Sequence, residues 1–242
     1  MVSYHPDSRF LTDFASANLP MAQAMCVSAH LEFCGKCRAH IQQLKEIGGH
    51  LLAQIEPVEV EAHSFESLMA RIATGEQPQA MASELALNEP SPDVLPKSSS
   101  DMFLPKAVRR LSNGSLNNLG WAQFGKELRI APLPIVGEVC ETSIYDIRAG
   151  GKMPEHEHRG EEITVLLKGS FSDAEGTYTR GDFVVRNAGE THQPTATQDT
   201  DCICLVCLES PVRPKGWFYR LLEPYIQYRL HSLKRSAANQ SA

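Results

Sequence analysis

The chain changes texture once, between residues 81 and 100, and that change limits what it can fold into. Before it, apolar residues recur at helical spacing; after it, short alternating runs are separated by turn residues. From Leu87 through Pro90, Pro92 and Pro96 to Ser98, Ser99 and Ser100 the chain lacks periodicity and is rich in Pro and Ser, the composition of a linker. No internal repeat joins the two sides. The expected fold class is therefore a two-domain chain, with an all-α helical module over residues 1–80, a flexible linker over 81–100 and an all-β antiparallel sandwich over 101–235. Residues 236–242 read as a disordered tail.

Within the helical part, Asp7 and Ser8 can cap a first helix carrying Phe10, Leu11 and Phe14, and Pro20 suits the start of a second. That second helix leads through Met25, Val27 and Leu31 into the stretch His30-Leu31-Glu32-Phe33-Cys34-Gly35-Lys36-Cys37. His30 and Cys34 are four apart and share a helix face, Cys37 follows within a turn, and Gly35 separates this helix from a third. One imidazole and two thiols at this spacing suit zinc. A tetrahedral ion needs a fourth ligand, and the residues leave two candidates: His5, which would tie the terminus to a helix end, and His40, which would be local. The plainer reading makes His30 an ordinary polar residue and the cysteines small buried hydrophobes or a redox pair. A structural zinc would matter here, because four short helices have a thin core and zinc can contribute about 10 kcal/mol of apparent folding free energy.

The third helix continues through Ile41, Leu44, Ile47, Leu51 and Leu52, with Gly48-Gly49 weakening its middle. Ser64 caps a fourth in which Phe65, Leu68, Met69 and Ile72 follow the i, i+3, i+4, i+7 template. That stripe has two readings, packing within its own domain or docking onto a partner.

In the β part, strands are expected at residues 138–147, 163–167, 183–186 and 202–208. Two patterns stand out: Gly150-x5-His156-x-His158-x3-Glu162-x6-Gly169 and Gly181-x5-Asn187-x-Gly189-x2-His192. On a strand, His156 and His158 share a face; Glu162 and His192 can close the site from neighbouring strands. Three imidazoles and a carboxylate suit Zn²⁺, Fe²⁺, Mn²⁺ or Ni²⁺, and the residue types do not choose among them. Cys202 and Cys204 share a face with Cys207 on the other, a set read as β packing more readily than as a redox site. Trp217, Phe218, Leu221, Leu222, Tyr225, Ile226 and Tyr228 have two destinations, the sandwich or a second copy, so a homo-oligomer through this domain is among the expectations.

Composition narrows the function classes. A net charge of −6 argues against direct nucleic-acid binding, which needs clustered Lys and Arg. Seven clustered cysteines do not resemble a secreted disulfide framework, and the longest apolar run, residues 202–208, is too short to span a bilayer. A soluble, cytoplasmic protein with no membrane partner is expected.

The double His/Glu pattern resembles the cupin motifs, which implies a jelly-roll sandwich holding one metal through His156, His158, Glu162 and His192. Asn187 stands where that family usually has Pro, and Ala196 where it often has Asn; neither is a ligand. A His-x3-Cys-x2-Cys helical module, a linker and a cupin together resemble the ChrR family of zinc-binding anti-sigma factors over nearly the whole chain. The likeness rests on His5-Pro6, His30/Cys34/Cys37, His156-Glu157-His158-Arg159-Gly160-Glu161-Glu162 and Asp201-Cys202-Ile203-Cys204-Leu205. It implies Zn²⁺ on His5, His30, Cys34 and Cys37, which leaves His40 on the helix surface. It also implies Zn²⁺ or another divalent transition metal in the cupin.

The function implied is regulation of transcription without enzymatic activity. The helical module would hold an extracytoplasmic-function-type sigma factor inactive, and the cupin would respond to oxidative stress such as singlet oxygen. The nine acids and five bases of residues 1–80 suit covering a basic, DNA-contacting surface. Oxidation of the Cys34 or Cys37 thiolate, expelling zinc, is a second route to release. The competing function is a metal-dependent cupin enzyme such as a non-haem iron dioxygenase, for which the zinc module has no evident purpose and no catalytic base stands out.

Overall fold

The computed structural model describes residues 2–61, 63–74, 104–135, 140–215, 228–230 and 232–233. The expected linker at 81–100, the tail at 236–242 and most of the aromatic segment from Trp217 lie outside these residues. By internal packing the chain divides into two compact units, Met1–Glu46 with Pro96–Ala242, and Ile47–Leu95.

In the larger unit, α1 (Ser8–Ala15) is capped by Asp7, whose side chain accepts from the Phe10 N–H at 3.1 Å. The helix α2 (Met21–Phe33) begins directly after Pro20 and ends on Cys34, whose backbone is extended. The next helix, α3 (Gly35–Ala53), starts immediately, and Gly48 and Gly49 do not interrupt it. A short α5 (Lys106–Leu111) precedes the twelve strands found among the described residues. Six of these form one antiparallel sheet in the order β1 (Ala122–Phe124), β2 (Leu128–Pro132), β3 (Glu141–Ile147), β11 (Cys202–Leu208), β5 (Glu162–Lys168), β8 (Phe183–Arg186). Two three-stranded sheets complete the fold. One orders β10 (Thr195–Ala196), β6 (Ser170–Ser172) and β7 (Thr177–Thr179); the other orders β12 (Arg213–Pro214), β4 (His156–Glu157) and β9 (Thr191–His192).

The central strands are covered on both faces. Along β5, Ile163, Val165 and Leu167 join Phe10, Leu11, Ala22 and Val27 in one core, as do Ile203, Leu205 and Cys207 of β11. The alternate residues, Leu166 of β5 with Cys202, Cys204 and Val206 of β11, enter a second core with Leu128, Ile147, Phe171 and Tyr178. Side-chain alternation thus sends successive residues of one strand into two cores. Helix α2 packs on β5, β8 and β11, which is why it is buried around much of its circumference.

The smaller unit contains α4 (Ser64–Thr74), which has no buried residue. Phe65, Leu68, Met69 and Ile72 are 69%, 51%, 48% and 63% exposed. No helix among the described residues is long and apolar enough to cross a membrane.

Candidate metal centres

The turn from α2 into α3 builds the first cluster. Because Cys34 leaves the helix as an extended cap, its thiol swings toward Cys37 in the first turn of α3, and the Cys37 N–H donates to Cys34 Sγ at 3.4 Å. The extended segment before α1 brings His5 over this turn. Its Nδ1 lies 3.4 Å from Cys34 Sγ and 3.5 Å from Cys37 Sγ, and its ring meets His30 edge-on with centroids 5.5 Å apart. One donor atom from each of His5, His30, Cys34 and Cys37 lies within 4.8 Å of every other. Tetrahedral zinc, with bonds of 2.0–2.3 Å, separates its donors by about 3.3–3.8 Å, so the two measured His5 to cysteine distances match. His40 is exposed and outside the group.

The protonation states fit a cation. His30 Nδ1 donates to the Gly181 carbonyl at 2.7 Å, so Nε2 faces the cluster with a free lone pair, buried and without a hydrogen-bond partner. Such an orphaned acceptor is costly unless something binds it. Burial pulls the His30 pKa down to about 4 against the Gly181 hydrogen bond, keeping the ring neutral. Burial, then the neighbouring Cys34, pushes the Cys37 thiol up to about 11, so a bound ion must displace that proton.

The second cluster lies inside the β domain. The β4–β9 register places His156 directly opposite His192, and their Nε2 atoms are 3.0 Å apart. His158, two residues after His156, completes a triangle of rings with centroids 4.6–5.0 Å apart. Donor atoms of these three lie within 4.8 Å of one another. His156 Nδ1 is tied to the Pro154 carbonyl at 2.9 Å and His192 Nδ1 to Asp173 Oδ2 at 3.1 Å, which turns both Nε2 atoms inward, the arrangement typical of histidine ligands. Neither ring nitrogen of His158 has a hydrogen-bond partner. Glu162 opens β5 beside the triad, its Oε2 3.8 Å from His158 Nδ1, and Oε1 accepts from the Thr164 hydroxyl at 3.0 Å.

Burial lowers all three imidazoles, His158 to about 3 and His192 to about 4, and raises the Glu162 carboxyl to about 7. His156, His192 and Glu162 border a small cavity walled by Tyr145, Ile147, Met153, Phe171, Cys204 and Val206. Cys202 and Cys204 share a face, their sulfurs 3.6 Å apart, and Cys207 points into the other core.

Several residues around these clusters lie outside the candidate ligand set. Asp173 and Arg186 orient His192; Gly181 and Asp182 hold the segment carrying His5 and the ring of His30. Glu161 accepts from Arg9 at 2.7 Å and from Gln23 at 3.3 Å. Two of them stand inside the sequence patterns without being ligand candidates, Gly181 at the head of the second histidine pattern and Glu161 beside Glu162.

Fold and clusters together define a class: a helical segment with a His₂Cys₂ cluster, attached to an antiparallel β domain with an internal histidine triad. A model of the ChrR cupin-like domain matches residues 114–211. The anti-sigma-E factor ChrR of Cereibacter sphaeroides is 30% identical over 226 residues, 93% of this chain and 99% of that protein. A chain in the crystal structure of Rhodobacter sphaeroides SigE in complex with the anti-sigma ChrR superposes with a TM-score of 0.68 at 28% identity, covering 86% of this chain and 99% of that one. The chain belongs to the ChrR family.

Proposed function

We propose that this protein is an anti-sigma factor. It captures an extracytoplasmic-function-type sigma factor through its helical part and releases it when the cupin domain receives an oxidative signal of the singlet-oxygen type. The observation that carries this reading is the likeness, over 93% of this chain, to the anti-sigma-E factor ChrR, together with the superposition on a chain crystallised as a SigE–ChrR complex. The exposed apolar residues of α4 support it, since such a stripe suits a partner. Residues 1–80 would form the docking module, 81–100 a linker and 101–235 the sensing domain. Occlusion of the partner's surface is the mechanism, and no catalytic step is needed.

Two thiols and two imidazoles favour Zn²⁺ on His5, His30, Cys34 and Cys37. The ion there supplies a cross-link between the chain terminus and the α2–α3 turn. His156, His158, Glu162 and His192 would hold Zn²⁺ or another divalent transition metal. The neutral rings of His30, His158 and His192 offer lone pairs to an ion at neutral pH.

The test is co-expression with the cognate sigma factor, followed by co-purification, a transcription assay and metal analysis. A stable complex that silences the sigma factor and carries zinc is expected. Full-length, metal-loaded protein that leaves transcription untouched and forms no complex at micromolar concentration would overturn the reading. Substituting His158 or Glu162 should leave inhibition intact and blunt release; variants that release normally would remove the sensing role from the cupin cluster.

A further inference from the structure

Both histidines of the helical cluster are held by one turn of the β domain, between β7 and β8. His30 Nδ1 donates to the carbonyl of Gly181 at 2.7 Å, across 151 positions of sequence. His5 is reached through its neighbours: the N–H groups of Ser3 and Tyr4 donate to Asp182 Oδ1 at 2.6 and 3.0 Å, and the Phe183 N–H donates to the Tyr4 carbonyl at 3.0 Å. The Tyr4 ring packs on Tyr178 with centroids 4.7 Å apart. Asp182 is itself fixed, because Oδ2 accepts from the Thr179 N–H at 2.7 Å and its hydroxyl at 3.1 Å, and the residue is 1% exposed.

Gly181 permits the close approach. It has φ +92°, and a Cβ there would lie 2.7 Å from Phe33 Cβ and 2.8 Å from Val2 Cγ2. The turn is thus wedged between the end of α2 and the N-terminal segment, the two places that supply the histidines.

We propose that residues 179–183 are a positioning part of the helical metal centre, with the Gly181 carbonyl setting the tautomer of His30 and the Asp182 carboxylate setting where His5 stands. Two of the four ligands, His5 and His30, then depend on groups supplied by the β domain, so displacement of this turn loosens the ion without any chemistry at the cysteines. Hydrogen-bond partners behind metal ligands change affinity by about 10- to 100-fold. This inference rests on the reading that the His₂Cys₂ cluster binds a metal.

The test uses full-length protein loaded with Co²⁺. Its thiolate-to-cobalt absorption is assigned to the helical cluster by its loss in Cys34→Ser, and its decay is followed after adding a chelator. Asp182→Ala is expected to release the ion about 10- to 100-fold faster, and Asp182→Asn, which keeps an acceptor for Ser3 and Tyr4 but cannot accept from the Thr179 N–H with its NH2, to recover part of the difference. Ser3→Pro removes one donor without altering the β domain; it should speed release several-fold and shift the cobalt d–d bands at an unchanged melting temperature. Should Asp182→Ala fail to fold, Ser3→Pro decides. Wild-type rates and bands in the folded variants would overturn the inference while leaving the anti-sigma reading in place. A wild-type protein with no thiolate-to-cobalt absorption would remove both the metal reading and this one.

Discussion

Arg186 Nη2 lies 2.8 Å from Asp173 Oδ2, and the two side chains are 6% and 0% exposed. Arg186 also donates to the Tyr178 hydroxyl at 2.7 Å, and Asp173 holds His192. Burial opposes ionisation of Asp173, but Arg186, the Glu175 N–H and His192 more than offset it and leave its pKa below the usual value. Arg186→Met should lower stability by about 3–5 kcal/mol, because it leaves the buried Asp173 carboxylate without its cation. Adding Asp173→Asn should recover part of the loss. Urea denaturation of the single and double variants measures both, and a single-variant loss below about 1 kcal/mol would contradict this account of the pair.

In chelator-treated protein, stability should rise with pH between about 4.5 and 6.5. Burial holds His30 and His192 at about 4 and His158 at about 3, against 6.5 for a free imidazole. The unfolded chain then binds protons that the folded chain refuses. Stability from these groups is complete above the unfolded value and is lost as pH falls toward the folded ones. Glu162 acts oppositely: with its carboxyl raised to about 7, its contribution is complete below about 4.5 and is lost as pH rises to 7. Three imidazoles outweigh one carboxyl across the shared window. Denaturation midpoints that stay flat or fall over that range would be inconsistent with neutral, buried histidines.

The two clusters should be separable by substitution. His156→Ala should remove the cupin metal and leave the thiolate-bound ion, while Cys37→Ser should do the reverse. Glu162→Gln keeps the contact with Thr164 and removes the charge; it should weaken the cupin metal by about tenfold or more if the carboxylate is a ligand. Metal-to-protein ratios after dialysis against a weak chelator report each outcome.

The exposed face of α4 makes a different kind of prediction. Leu68→Asp replaces a half-exposed apolar side chain on a helix with no buried residue, so thermal stability should stay within about 0.5 kcal/mol. Affinity for the sigma factor should fall by about tenfold or more, about 1.4 kcal/mol. Calorimetric titration checks it, and unchanged affinity would show that this stripe is not a docking face.

In the core, Leu205 is fully buried on β11, between β3 and β5. Leu205→Ala should cost about 2–5 kcal/mol. A smaller loss would mean that α2 settles onto the sheet to close the cavity.

Much of this architecture is legible in the sequence because it is encoded at short range. The Asp7 cap, the 3.6-residue stripe of α4 and the turn glycines around His156 and His192 each depend on residues within a turn of one another, whereas the helix break falls at Cys34, one residue before the expected Gly35, which opens α3. The His₂Cys₂ set is partly local: His30, Cys34 and Cys37 fall within eight positions, while the residues alone left His5 and His40 as alternatives. The extended conformation of Cys34, which aims its thiol at Cys37, does not follow from helical spacing, since a continuous helix would have kept Cys34 on the face of His30.

Periodicity and ligand spacing are local properties, so the helical and β texture of the two ends of the chain and the residue types of both clusters can be read along the chain. Long-range packing alone sets α1 and α2 in a shared core with β5 and β11, places Arg186 behind Asp173 and His192, and lets Gly181 hold His30 across 151 positions and Asp182 hold the His5 segment, through Ser3, across 179. Those contacts depend on helix packing and strand order. A carboxylate in a turn looks the same in sequence whether it caps its own loop or also pins the far end of the chain.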